Sequence, residues 1–289
     1  VDTLETLAKR IATTEDLQSI VSTMKSLAAV SIRQYEQAVE ALRDYSRTIE
    51  LGLQAVLRGS AIAAEPPRPA DGLTLAVVFG SDHGLCGRFN QQIVGHAQAR
   101  SSAGTQYLAA GGRAADLLEA AGVPVVVQYP LPGSVAGLTE TAFAILRAID
   151  ERRQEAPVAR VLVHHNRRTA RAAAEPHDLQ LLPLDPAWLD RLSRQPWPSP
   201  ALPLYTLPAS DLYRALVRQQ LFIGLFRAGA ESAASEHAAR LSAMQAAERN
   251  IEERMDEMTA AFRRKRQDSI TEELLDVVAG FEAMSARRR

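Results

Sequence analysis

From Asp211 to Met284 the chain contains no proline, and apolar or small residues recur there in alternating steps of three and four. The series runs Leu212, Leu216, Gln219, Ile223, Phe226, Ala230, Ala233, His237, Leu241, Met244, Ile251, Met255, Met258 and Phe262, the spacing of one continuous helical seam. At 1.5 Å rise per residue such a helix is roughly 110 Å long. A globular domain cannot bury a helix of that length from end to end, so the seam must meet a second long helix or enter a partner protein. The other end of the chain supplies a second helix. Leu4, Leu7, Ile11, then Val21, Met24, Ala28, Ile32, Tyr35, Val39, Leu42, Ile49, Leu53 and Val56 follow the same spacing, with no proline before Pro66. The expectation is an antiparallel coiled coil projecting from a body, in preference to two ordinary amphipathic helices packed along it.

Proline-rich stretches bound the middle. Glu65-Pro66-Pro67-Arg68-Pro69 ends the first helix and Gln195 to Pro208 precedes the last, which divides the chain into helix 1–65, domain 72–195 and helix 209–289. Between the breaks the period shortens. Leu73 to Phe79, Gln106 to Ala110, Val123 to Gln128, Val158 to His164 and Leu179 to Leu184 read as strands. Helical patterns follow the glycine turn up to about Ser101, and run from Arg113 to Ala121 and from about Ser134 to Arg153. Strands alternating with helices predict an α/β body, a mostly parallel sheet with helices on both faces.

Charge and composition exclude several functions. A formal net charge of -1 gives no general attraction for nucleic acid. The basic runs Arg263-Arg264-Lys265-Arg266 and Arg287 to Arg289 read first as solvated faces. One cysteine, Cys86, allows no disulfide framework, and the charged start (Asp2, Glu5, Lys9, Arg10) is unlike a secretory signal, so a cytoplasmic chain is expected. No apolar stretch is long enough to span a membrane.

The α/β body invites an enzymatic reading. Gly80-Ser81-Asp82-His83-Gly84-Leu85-Cys86-Gly87-Arg88 follows a strand and precedes a helix, where backbone amides can cradle phosphate. It lacks the Gly-Lys-Ser/Thr of a P-loop and the dinucleotide pattern, so Gly84, Cys86 and Gly87 read as a tight structural turn. Asp82, His83 and Cys86 lie too close in sequence to converge on one reacting atom, and Cys86 reads as buried and inert. His164 and His165 end a strand where open sheets bind ligands, but neighbouring strand residues face opposite ways, and His177 is the nearest helper in sequence; no cofactor or metal set is legible.

Three motifs in order carry a resemblance. Gln18, Ile20, Met24-Lys25 and Ala28-Ala29 in the first helix are similar to a Met-Lys segment of the gamma subunit of F-type rotary ATP synthases and ATPases. Ser81-Asp82, Gly84-Leu85-Cys86-Gly87 and Asn90 are similar to that family's Ser-Asp-x-Gly-Leu-Cys-Gly-x-x-Asn. Met244, Ala246-Ala247 and Asn250, followed by Arg266-Gln267-x-x-Ile270-Thr271-x-Glu273-Leu274, resemble its C-terminal signature. Ser19, Ser22, Arg88 and the end Phe281 to Arg289 depart from the common pattern and suggest a divergent branch, such as the alternative type associated with sodium transport.

The resemblance implies a non-catalytic central rotor in the F1 sector, with nucleotide sites on the β subunits of an α and β ring. It implies a body against the epsilon subunit and the membrane c-ring, at the cytoplasmic face of the membrane, coupling ATP synthesis or hydrolysis to proton or sodium transport. Arg266 and Gln267 are then expected to latch an acidic loop of one β subunit, with Lys25, Met24, Ile270 and Thr271 as shaft contacts. Two other classes stand beside it: a nucleotide-dependent enzyme with a coiled-coil arm, and a coiled-coil scaffold.

Overall fold

The computed structural model describes residues 3–59, 72–102, 104–201 and 203–286, with side chains described as far as Ala279. The proline cluster 65–69, the side chains of 281–284 and the arginines 287–289 therefore lie outside the described residues. Helix α1 is Leu4–Gly59 and helix α6, the last, is Ala209–Ala286. Between them come β1 (Leu73–Phe79), α2 (Phe89–Ala99), β2 (Gln106–Ala110), α3 (Gly112–Ala120), β3 (Val125–Tyr129), α4 (Val135–Glu155), β4 (Val158–Arg167), β5 (Glu175–Leu182) and α5 (Pro186–Arg194).

The chain forms two compact units. One joins the residues up to Leu27 with those from Ala243 onward, and the other is Ala28–Ser242. Both contain stretches of α1 and α6 in antiparallel pairing. In the larger unit Tyr45 Oη donates to Gln219 Oε1 at 3.0 Å, and the Tyr35 and His237 rings stack with centroids 5.9 Å apart. In the smaller unit Lys25 pairs with Glu248. Every seam residue predicted in either helix is buried or half-buried, as a continuous stripe facing a neighbour requires. The α1 seam lapses between Ile11 and Val21, and there the smaller unit has an open groove of about 770 Å³ lined in part by Thr13, Thr14, Leu17, Ile251 and Met258.

The five strands form one sheet in the order β3-β2-β1-β4-β5. Pairs β2–β3, β1–β2 and β1–β4 are parallel, and β5 runs antiparallel to β4 at the edge. Helices cover both faces. Ala76, Val78, Tyr107 and Ala109 pack against Ile93 and Val94 of α2 and Ala114, Ala115 and Leu118 of α3. On the other face Leu75, Val77, Phe79, Leu108, Val161 and Val163 share a core with Leu138, Ile145 and Ile149 of α4, Leu53 of α1, and Leu221, Phe222, Leu225 and Phe226 of α6. β1 is buried on both faces, which is why it reads as an unbroken apolar run.

The larger departures from expectation are at β3, at the β4–β5 pair and at one additional helix. β3 begins at Val125, two residues late, because Pro124 has no N–H for the ladder and Val123 N is already bonded to Leu118 O at 3.0 Å. β4 continues through Arg167, and its antiparallel register places β5 at Glu175–Leu182 instead of 179–184. Helix α5 was not expected. Its start is nevertheless written in the sequence, for Asp185 caps it by accepting from Ala187 N at 2.9 Å and Pro186 occupies the first turn.

Candidate functional site

The glycine turn between β1 and α2 is closed by its own polar groups. Gly80 N bonds Ala110 O at 2.8 Å, and a methyl group on Gly80 would stand 2.4 Å from Ala114 Cβ, so the backbone of the turn lies directly on α3. Ser81 N donates to Asn90 Oδ1 at 2.9 Å, Asn90 Nδ2 donates to Ser81 Oγ at 2.8 Å, and Ser81 Oγ donates to His83 O at 2.8 Å. Asp82 reaches further. Its two oxygens accept from Gly112 N at 2.7 Å and Leu131 N at 2.6 Å, which fastens the start of α3 and the strand end after β3 to the turn. Gly87 holds φ at 59°, a left-handed conformation natural to glycine, whereas Leu85 adopts φ of 61° against its preference.

Cys86 is buried, with Sγ 3.7 Å from Asn90 Nδ2 and 3.8 Å from Ser81 Oγ. Burial raises its thiol pKa, with Ser81 working in the opposite direction. A thiol kept protonated is a poor nucleophile. Asp82, His83 and Cys86 thus occupy separate roles: a carboxylate bonded to backbone, an exposed imidazole and a packed thiol.

Helix α6 reaches the same turn through Arg240, a residue not singled out in the sequence. Arg240 Nη2 donates to Glu236 Oε1 at 2.6 Å, to Gly84 O at 3.2 Å and to His83 O at 3.5 Å, while Nη1 lies 3.3 Å from His237 Nδ1. Arg240 and Glu236 are only 8% and 9% exposed. Burial pushes the Glu236 carboxyl up and Arg240 opposes it. Burial and then the Arg240 charge lower His237 to about 4, so its imidazole is neutral and accepts from the guanidinium. Spacing of four residues makes Glu236 and Arg240 look like a solvated surface pair, and no local signal distinguishes the buried case.

His164 and His165 turn to opposite faces, as strand alternation requires, and each finds a carboxylate remote in sequence. His165 Nε2 is 3.0 Å from Glu231 Oε2 on α6, with His177 against it edge-on at 5.3 Å between ring centroids. His177 is therefore a neighbour of His165. The partners of His164 are Asp178 and His96 of α2. Asp178 Oδ1 lies 2.7 Å from His164 Nδ1 and 2.8 Å from His96 Nε2, and Arg100 Nη1 is 3.0 Å from Asp178 Oδ2. Burial works to raise the Asp178 carboxyl, but the hydrogen bonds from His164 and His96 outweigh it and hold it below the usual carboxylate range. Burial lowers His164 despite Asp178, favouring the neutral ring.

The shaft residues stand in two settings. Met24 is half-buried in the α1 seam and Lys25 beside it is paired with Glu248, while Met244 is buried in the larger helix's seam. Arg266 and Gln267 are exposed on α6, Ile270 is 55% exposed, and Thr271 Oγ1 donates back to Gln267 O at 2.9 Å. Leu274, Leu275, Val277 and Val278 beyond them are exposed large apolar side chains. None of the described helices is long and apolar enough to cross a membrane.

Comparison with known proteins agrees over nearly the whole chain. A family model described as ATP synthase matches residues 3–284. A curated relative from Granulibacter bethesdensis, the ATP synthase gamma chain, is 30% identical over an alignment covering 97% of this chain and 99% of its own. Two solved chains of the Euglena gracilis mitochondrial ATP synthase share the fold at 18% identity. One, from the rotor in rotational state 1, has a TM-score of 0.64 and covers 92% of this chain and 98% of its own. The other, from an OSCP/F1/c-ring assembly in rotational state 3, has a TM-score of 0.65 and covers 99% of this chain and 96% of its own. With its two seamed helices, its α/β body and its glycine turn in the order the motifs indicate, this chain belongs to the ATP synthase gamma family.

Proposed function

We propose that this chain is the central rotor stalk of an F-type rotary ATP synthase or ATPase, non-catalytic in itself. The observation that carries the reading is a pair of proline-free helices with apolar seams, in a chain whose gamma-family match runs from residue 3 to residue 284. A shaft needs torsional stiffness and a surface that differs from side to side, so that identical partners in a ring meet it in turn. Paired helices meet the first need and the exposed polar and apolar residues of α6 meet the second.

In this reading the α and β subunits surround the shaft, the β subunits hold the catalytic nucleotides, and the α/β body sits against epsilon and the membrane c-ring at the cytoplasmic face of the membrane. The coupled ion is a proton or sodium, and sodium dependence of ATP hydrolysis by the purified complex separates these. Arg266 and Gln267 form the latch to an acidic loop of one β subunit, with Met24, Lys25, Ile270 and Thr271 as further shaft contacts. Their exposure supports this for Arg266, Gln267 and Ile270. Lys25 already pairs with Glu248, so its contribution includes holding the two helices together.

The competing enzyme reading needs the glycine turn to bind phosphate. Gly80 N, Ser81 N and Phe89 N are already bonded to Ala110 O, Asn90 Oδ1 and Cys86 O, which favours a structural turn. The deciding experiment is co-purification from the native complex with ATP hydrolysis measured on the assembly and on the pure chain. Turnover by the assembly alone supports the rotor; turnover by the pure chain, lost on substitution in the glycine turn, overturns it.

A further inference from the structure

His96, His164 and Asp178 reach one point at the sheet edge from α2, β4 and β5. One ligand atom from each lies within 4.8 Å of the others. We propose that His96 Nε2, His164 Nδ1 and Asp178 Oδ1 bind a divalent transition-metal cation of the zinc class. Two imidazole nitrogens and one carboxylate oxygen are a donor set suited to such ions, and three protein ligands leave a fourth position for water.

Two of the three ligand-atom separations are close to what an ion requires, and the two imidazole nitrogens lie within 4.8 Å of each other. In a tetrahedral site with bonds of about 2.0–2.1 Å, neighbouring ligand atoms are about 3.3 Å apart. Asp178 Oδ1 is 2.7 and 2.8 Å from the two nitrogens, so each contact opens by roughly half an ångström to admit the ion. His164 is an anchored ligand, its side chain only 1% exposed, whereas His96 at 22% and Asp178 at 25% leave a path from solvent. Arg100 bonds the other oxygen, Oδ2, at 3.0 Å and so orients the carboxylate while leaving Oδ1 directed at the imidazoles.

Binding needs both nitrogens bare. Each imidazole that donates to Oδ1 in the metal-free protein must move its hydrogen to its other nitrogen, a tautomer exchange that leaves both rings neutral. For His164 that nitrogen is Nε2, buried and without a hydrogen-bond partner among the described residues. The unanswered donor and the Arg100 charge both weaken the site, so its affinity falls below that of tight structural zinc sites. Bound metal would join α2 to the β4–β5 hairpin and raise the stability of the body by mass action. This inference does not depend on the rotor reading.

The test uses the full chain, free of any affinity tag and stripped with chelator, titrated calorimetrically with ZnCl2 and followed with CoCl2 by visible absorption. One ion per chain is expected, with a tetrahedral cobalt spectrum and a higher thermal midpoint in zinc. His96→Gln and Asp178→Asn, each checked by circular dichroism, should weaken binding by at least about tenfold, since loss even of an outer partner has that effect. His83→Gln, an exposed histidine on the glycine turn, should leave binding unchanged. Absence of saturable binding overturns the proposal. So does equal affinity in a folded His96→Gln protein, whatever the state of Asp178→Asn.

Discussion

The glycine turn and the part of α6 beyond Phe262 both carry motifs that resemble those of the gamma family, yet they are built on opposite terms. At the turn, Asp82, Ser81, Asn90 and Arg240 are bonded to the chain itself. Beyond Phe262, Arg266, Gln267, Ile270, Leu274 and Val277 are exposed. A motif whose polar groups are answered internally serves the fold, and one that leaves large apolar and cationic groups in water is completed by something outside the chain. The difference predicts where substitutions change stability and where they change only the work of an assembly.

The largest effect concerns the α/β body cut free. We read residues 72–195 as a domain, so the fragment should keep its parallel ladder by circular dichroism. It loses α1 and α6, however, and with them part of the core that Leu75, Phe79 and Val163 share. Each such side chain contributes up to about 1.5–3 kcal/mol when buried, so the fragment should be far less stable than the whole and show faster hydrogen exchange. A fragment unfolded by both measures breaks the division at 72 and 195.

Arg240→Ala comes next. It leaves Glu236 buried without its partner and frees the carbonyls of His83 and Gly84, at a cost of about 3–5 kcal/mol near neutral pH. The loss should shrink in mild acid, where Glu236 takes up a proton. Urea unfolding at two pH values measures both parts, and an unchanged midpoint would show that α6 does not fasten the turn.

His237 sharpens the same point through pH. Its pKa is lowered from 6.5 to about 4, so the unfolded chain binds a proton there that the folded chain refuses. Stability is therefore greatest above 6.5 and falls as pH drops toward 4, by up to about 3 kcal/mol for this group. His164 and His177 are lowered as well and add to the fall in the same direction. Asp178 and Glu231 are lowered carboxylates, whose contribution is present above the unfolded carboxylate pKa and is lost at more acid pH. His237→Gln should flatten the limb between pH 6.5 and 4; an unaltered limb would remove His237 from the account.

The smallest effect on stability, and the sharpest on function, is expected at the far end of α6. Arg266→Ala with Gln267→Ala should change the unfolding free energy measured in urea by no more than about 0.5 kcal/mol, as exposed positions do. In the assembled complex the same pair should slow ATP turnover about tenfold, the effect of one charge-assisted hydrogen bond made at the limiting angle. Wild-type turnover with normal subunit composition would remove the latch and leave the rotor standing.

How much was legible in the sequence depended on how far apart the cooperating residues lie. The seams of α1 and α6 could be read because a repeat of three and four is local, and each of their residues is buried or half-buried. β1 and β2 were placed at Leu73–Phe79 and Gln106–Ala110, their observed bounds, since short apolar runs between turn residues have few alternatives. β5 differs from the sequence expectation because its position follows from pairing with β4, and α5 has no counterpart in that expectation although Asp185-Pro186 marks its start. The glycine turn was legible as a turn; its bonds to Gly112, Leu131 and Arg240 were not.

By itself, then, the order of residues determined two long seamed helices around an α/β body and the motifs that relate the chain to the gamma family. Periodicity and turn chemistry act over a few residues, and a chain read in order displays them directly. Only the tertiary structure decided that Arg240 grips the glycine turn, that His165 faces Glu231, and that His96, His164 and Asp178 share one point. Those partners are separated by 14 to 157 residues, and what brings them together is the stacking of helices on a sheet, whose register is set by the buried apolar faces and not by the polar residues themselves.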